Sequence, residues 1–165
     1  MSAPYQATDI AAWFLGNIDR DAGDSITHLK LQKLVYYAQA WSLALRDEPL
    51  FDEELQAWAH GPVAESVYQT YRGAGWDALP PPKVMPVMDR EMDDFLSSIL
   101  ATYGDFSAKH LESMTHAEQP WIEARKGLPP EARSNKPIRK NVMSIYYRDL
   151  YNQAEKNENV TAETA

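Results

Sequence analysis

Apolar residues Ile10, Trp13, Phe14 and Ile18 recur at i, i+3, i+4 and i+8, the period of an α-helix that buries one face. Thr8 supplies a hydroxyl for its N-cap, and the Asp21-Ala22-Gly23-Asp24 turn places its end near Asp19. Thr27 opens a longer pattern in which Leu31, Leu34, Val35, Ala38, Trp41 and Leu45 form one buried stripe. Two further lines on that helix carry polar groups: Lys30, Lys33 and Tyr37 along one, Gln32, Tyr36 and Gln39 along the other. Asp89 caps a third strong pattern, Met92, Phe95, Leu96, Ile99, Leu100 and Tyr103, which stops at Gly104.

Weaker patterns lie between and after these. Residues 47–54 gather Asp47, Glu48, Asp52, Glu53 and Glu54 around Pro49, Leu50 and Phe51, a solvated acidic loop. Leu55 to Ala59 reads as a short strand or hairpin arm broken by His60-Gly61-Pro62, and Pro62 suits the first position of a helix that buries Val63, Val67, Tyr68 and Tyr71 and ends at Gly73 and Gly75. Residues 77–88, with Pro80, Pro81, Pro82 and Pro86, read as an extended connector in which Val84 to Val87 forms a marginal strand. Ser107 starts a short helix through Leu111 and Met114, and Pro120 starts another through Trp121, Ile122 and Ala124. A last helix places Val142, Ile145, Tyr146 and Leu150 inward with Met143 and Tyr147 flanking, and the polar residues after Asn152 are expected to fray. The expected fold is mainly α: one compact domain over residues 1–151, about six helices with a short strand or hairpin near 55–59, and a polar tail over 152–165.

Composition narrows the function classes. A chain of 165 residues, 44% hydrophobic and 24% charged, has the length and core of one globular domain. The net charge of −8 repels phosphate backbones and anionic lipid, which disfavours a general nucleic-acid or membrane-surface binder. Zero cysteine removes disulfides, thiolate nucleophiles and Cys-based metal sites, and suits a cytoplasmic setting. No apolar run reaches the roughly 18 residues of a membrane helix, and Met1 to Asp9 lacks the basic and apolar regions expected of a signal peptide. Against the acidic whole, residues 125–140 hold six bases and one acid, Glu131, which reads as a solvated loop or as a docking patch for an acidic partner or RNA.

Catalytic and cofactor signatures are absent: no G-x-S-x-G elbow, P-loop or dinucleotide fingerprint occurs, and His28, His60, His110 and His116 lack the spacing of a helical HExxH zinc site. His116 and Glu118 have the spacing of an acid–base pair for a small hydrolase, with or without metal; the favoured reading is a turn before the Pro120 helix that Thr115 and His116 hydrogen-bond. Lys30, Lys33, Tyr36 and Tyr37 form either a wet helix face with half-buried tyrosines or a contact surface. Backbone N–H groups at His60-Gly61-Pro62 are candidates for an anion. Five Trp, nine Tyr and four Phe favour protein binding, because these side chains bury large areas while keeping a polar tip.

The run Ile26-Thr27-His28-Leu29-Lys30-Leu31-Gln32-Lys33-Leu34-Val35-Tyr36-Tyr37-Ala38-Gln39-Ala40 resembles the opening signature of the Panacea antitoxin domain, the SocA-like, phage-associated GepA group. Gln56-Ala57-Trp58-Ala59-His60-Gly61-Pro62-Val63, Thr115-His116-Ala117-Glu118-Gln119-Pro120-Trp121 with Ala124-Arg125, and Tyr146-Tyr147 continue the likeness in order. The departure is Ile138-Arg139, where members often show Ile-Ser ahead of the last helix. The resemblance implies an antitoxin that neutralises a cognate toxin by direct binding in a bacterial or prophage cytoplasm, with no reaction and no cofactor. In the SocA branch it implies an adaptor that presents the toxin to the ClpXP protease. The partner-binding residues expected on this basis are Lys30, Gln32, Lys33, Tyr36, Tyr37, His60, Gly61, Pro62, His116 and Trp121. No helix-turn-helix is evident, and the acidity argues against operator binding without a partner.

Overall fold

A computed structural model describes residues 3–164, with side chains through residue 158. Its elements are α1 (Ala7–Asn17), α2 (His28–Arg46), β1 (Gln56–Trp58), β2 (Gly61–Val63), α3 (Glu65–Tyr71), α4 (Arg90–Tyr103), α5 (Ala108–His116), α6 (Gln119–Arg125) and α7 (Lys140–Thr164). The fold is mainly helical, with seven α-helices among the described residues and one two-stranded antiparallel hairpin.

Local chemistry sets most helix starts. Thr27, Asp89 and Ser107 accept hydrogen bonds from the N–H groups of Lys30, Met92 and His110, as their positions predict. Helix α1 differs. Gln6 rather than Thr8 is its cap, and the Asp9 carboxylate accepts from the Gln6 N–H at 2.9 Å, a first-turn arrangement that favours an acid three residues on. Pro62 lies in β2, paired with Ala57, and α3 begins after Ala64, so the proline closes a hairpin and does not open a helix. Its missing N–H costs little at this edge.

Helix α2 is the axis of the domain, packed against α1, α3, α4, α5, β2 and, most extensively, α7. Thirteen of its nineteen residues are buried, including every position from Leu31 to Ala40. A helix enclosed on all sides needs internal partners for its polar groups, and α2 pins them to the loops around it. Gln39 accepts from Leu50 N–H at 2.7 Å and donates to Phe51 O at 2.9 Å; Ser42 Oγ donates to Glu48 O at 2.6 Å. These bonds draw Leu50 and Phe51 into the core, so the 47–54 loop is solvated only along its acids. Leu45, placed on the buried stripe by spacing, is exposed.

Helix α7 turns Met143 and Tyr147 fully inward and leaves Ile145 and Leu150 exposed, the reverse of the face its apolar pattern suggests. Tyr147 carries a phenol that finds partners inside, which a hydropathy pattern does not register. The helix runs on to Thr164, past the expected fraying point at Asn152, with residues 151–158 all exposed. Val84 to Val87 forms no strand, although the 77–88 connector is irregular as expected.

Candidate functional site

The sequence motifs converge beneath the β1–β2 hairpin. Gly61 adopts φ +113°, a region L side chains rarely enter, and a Cβ there would collide with the Lys33 side chain. The missing side chain is what lets Lys33 end under the hairpin, 0% exposed, with no hydrogen-bond partner for its Nζ. Burial lowers the Lys33 ammonium to about 7, against weaker support from the Glu112 charge. Gln32 fixes the end of the hairpin from the same helix: its Oε1 accepts from Ala64 N–H at 2.9 Å, and its amide donates to Ala64 O at 3.3 Å. His60 is the exposed tip, its Nδ1 3.3 Å from Glu112 Oε1.

A second cluster joins α2, α6 and α7 through phenols. Tyr37 donates to Glu118 Oε1 at 2.6 Å, Tyr147 donates to the same oxygen at 3.1 Å, and the Tyr36 hydroxyl lies 2.9 Å from that of Tyr147. With Tyr147 donating to Glu118, Tyr36 donates to Tyr147, so three hydroxyls end on one carboxylate. Tyr103 from α4 stacks on Tyr37 at 4.0 Å and accepts from Trp41 Nε1 at 2.7 Å. Burial raises the Glu118 carboxyl above its ordinary range, opposed by the two phenol bonds, and burial holds Tyr36, Tyr37, Tyr103 and Tyr147 in their neutral forms.

The third cluster ties α6 to the hairpin. His116 stacks on Trp121 at 4.0 Å, and Trp121 Nε1 donates to Trp58 O at 2.9 Å. The Arg125 guanidinium lies 4.7 Å from the Trp121 ring and donates to the carbonyls of Ala57, Pro129, Pro130 and Ala132. Burial lowers the His116 imidazole, leaving it neutral under ordinary conditions.

Most of the residues expected to touch a partner therefore lie inside. Gln32, Lys33, Tyr36, Tyr37, Gly61, Pro62 and Trp121 are buried, His116 and Lys30 are half-buried, and His60 alone of the ten is exposed. The face carrying Lys33, Tyr36 and Tyr37 is not a surface, because α7, α5 and the hairpin close over a helix whose spacing alone leaves those lines open. Lys30 donates to Gly104 O and so joins α2 to the end of α4. His116 and Glu118 do not pair with each other: one faces Trp121 and the other the tyrosines. His60-Gly61-Pro62 does not open α3, which begins three residues after Pro62, and at that helix start the Glu53 carboxylate already accepts from both N–H and Oγ of Ser66. Among the described residues, no three His, Asp or Glu side chains gather as metal ligands.

Arg125 and Tyr147 were missed as site residues. Arg125 counted toward the basic stretch, yet it is buried, and Arg139 pairs with Glu123. The available signal was the turn-spacing of Arg125 from Trp121, which puts the two on one helix face. No helix among the described residues is long and apolar enough to cross a membrane.

The family model of the SocA-like antitoxin, Panacea domain, matches residues 31–122, from the first turn of α2 into α6. That span holds the hairpin, Lys33, the tyrosines of α2, and the His116–Trp121 pair. Antitoxin SocA of Caulobacter vibrioides (strain NA1000 / CB15N) is 30% identical over 115 residues, which cover 58% of this chain and 58% of that protein. The match thus spans less than two thirds of the relative's length. No solved structure matches the chain. With the family model covering more than half of its residues, and with the motifs that carry the likeness forming one continuous interior, the chain belongs to the SocA-like, Panacea-domain antitoxin family.

Proposed function

We propose that this protein is the antitoxin of a toxin–antitoxin pair and neutralises its toxin by direct binding in the cytoplasm. The observation that carries the reading is membership of the SocA-like family over the segment that builds the domain's interior. The family motifs act as a frame: Lys33, Tyr36, Tyr37, Glu118, Tyr147 and Arg125 lock the hairpin, α6 and α7 onto α2 and leave the outer surface free to vary with the partner. Among the residues first expected to bind, His60 at the hairpin tip remains an accessible contact. A binding role without chemistry fits a site whose phenols end on Glu118 and whose Arg125 is spent on main-chain carbonyls.

The test is expression of the neighbouring gene alone and with this chain. The neighbour should arrest growth by itself, lose that effect on co-expression, and co-purify with the antitoxin. A harmless neighbour, or two proteins that never associate, would defeat the reading.

Delivery of the bound toxin to ClpXP is a finer form of the same function, implied by the resemblance to the SocA branch and supported here by a helical tail whose residues 151–158 are all exposed and available as a tether. Toxin half-life measured with and without this chain, in cells with and without the protease, decides it; equal half-lives would remove the adaptor role.

A further inference from the structure

Most of the motif residues are spent on the interior, but four side chains of the hairpin and α3 share one accessible face. Gln56 and Trp58 stand two apart on β1 and so point the same way, while Glu65 and Tyr68 stand one turn apart on α3. Two contacts join the elements. Trp58 and Tyr68 meet edge to face with ring centroids 4.9 Å apart, and the Gln56 amide donates to Glu65 Oε2 at 3.4 Å. Gln56 Oε1 also accepts from Trp58 Nε1 at 2.7 Å, so one side chain fixes the indole and ties it to a carboxylate. His28 at the start of α2 extends the row, its ring 5.3 Å from that of Tyr68.

The face is open to water. Glu65 is exposed, and Gln56, Trp58, Tyr68 and His28 are half-buried. Neither the Tyr68 hydroxyl nor Glu65 Oε1 has a hydrogen-bond partner among the described residues, and the indole N–H is already used within the hairpin. What the patch offers a partner is therefore aromatic surface beside a carboxylate with a free oxygen. Aromatic rings attract cations, and a guanidinium can lie flat on a ring while its N–H groups reach a carboxylate. Charge sets the end at which such a group sits. Glu65 opens α3, whereas the exposed Arg72 follows its last residue and repels a cation from that side.

We infer that this face docks the toxin, with an arginine side chain of the toxin seated on Trp58 and Tyr68 against the Glu65 carboxylate. The inference rests on the antitoxin reading and names the surface that would serve it. The net charge of −8 favours a cationic partner over an acidic one, and half-buried Trp and Tyr are the side chains that anchor interfaces at low rotamer cost.

The experiment titrates the purified neighbouring gene product against the wild-type chain, Glu65→Lys, Tyr68→Leu and Tyr68→Phe, at about 50 and 300 mM salt. Circular-dichroism melts and size exclusion of each free chain accompany it. Tyr68→Leu keeps apolar bulk but removes the ring, and affinity should fall about tenfold or more; Tyr68→Phe restores the ring and should bind within about threefold of wild type. Glu65→Lys should lose about tenfold at the lower salt and less at the higher. Folded Tyr68→Leu with affinity within about twofold of wild type would overturn the surface and leave the antitoxin function standing. Glu65 is exposed, so its variant carries the test if Tyr68→Leu does not fold: unchanged affinity of Glu65→Lys at both salts would overturn the cationic occupant. A wild-type chain that is dimeric where Tyr68→Leu is monomeric gives the face to a second copy and overturns its assignment to the toxin. A wild-type chain that binds no neighbour fails the antitoxin reading itself and takes this assignment with it.

Discussion

An ammonium group loses its hydration on burial, and Lys33 Nζ finds no acceptor in return, so the folded state disfavours its charge. Its folded value of about 7 lies below the ordinary 10.5, and between those values the unfolded chain holds a proton that the folded chain has released. Lys33 by itself should therefore make folding stability rise with pH, by up to about 1.4 kcal/mol per pH unit. His28 and His116, lowered from 6.5 by burial, add to the rise only at its lower edge, and Lys30, lowered by its own burial, adds with the same sign. The buried tyrosines act the other way toward pH 10, where the unfolded chain loses phenol protons that the folded chain keeps, so the gradient belongs below about pH 9. Urea denaturation at about pH 7.5, 8.0 and 8.5 should show the gradient in the wild type; Lys33→Met should reduce it and be the more stable protein at the lowest of the three. An unchanged gradient in that variant would place its source elsewhere. This residue was visible in the sequence as a polar position within an apolar helix, but spacing could not reveal that Gly61 from a separate hairpin makes the room for it.

Helix α6 is too short to be stable by itself, and Arg125 is what fastens it. One guanidinium serves a strand carbonyl at Ala57 and three carbonyls in the loop after the helix, a fan of donors that no other side chain carries. Arg125→Ala should cost about 2–3 kcal/mol in chemical denaturation, because it leaves the buried Ala57 carbonyl without its donor and unties the loop carbonyls of Pro129, Pro130 and Ala132. Arg125→Lys should recover less than half of that loss, since a single ammonium cannot reach the same set. A variant as stable as wild type would show that water replaces the fan. Elements with local start signals were legible: Thr27, Asp89 and Ser107 cap where their positions say, and the Met92 to Tyr103 stripe is the face α4 buries. The hairpin was half legible. Pro62 is compatible with a helix start or an edge strand, and Gln32, thirty-two residues from Ala64, decides between them.

Across the whole molecule the charge map changes once the chain is folded. The acidic loop at 47–54 and the basic stretch at 125–140 look like opposite poles in sequence, yet Ala57 N–H donates to Lys136 O, Ile138 N–H donates to Leu55 O, and Lys140 Nζ reaches Asp52 O. The two stretches are neighbours along one edge of the hairpin, and with Arg125 buried they do not form separated patches that could steer a toxin. In the tail, residues 151–158 are exposed. Ending the chain after Asn152 should lower the melting temperature by no more than about 2 °C, since residues 151–158 are exposed; a larger fall in a circular-dichroism melt would show that the tail packs. The sequence alone determined a mainly helical domain, its principal helix starts, its lack of thiol chemistry and its family, because caps, breakers, periodicity and motif order are local along the chain. Only the tertiary structure decided that the motif residues form the interior. Whether a lysine or tyrosine on a helix meets water or another helix depends on which distant segment closes over it, and that is set by packing among elements far apart in sequence.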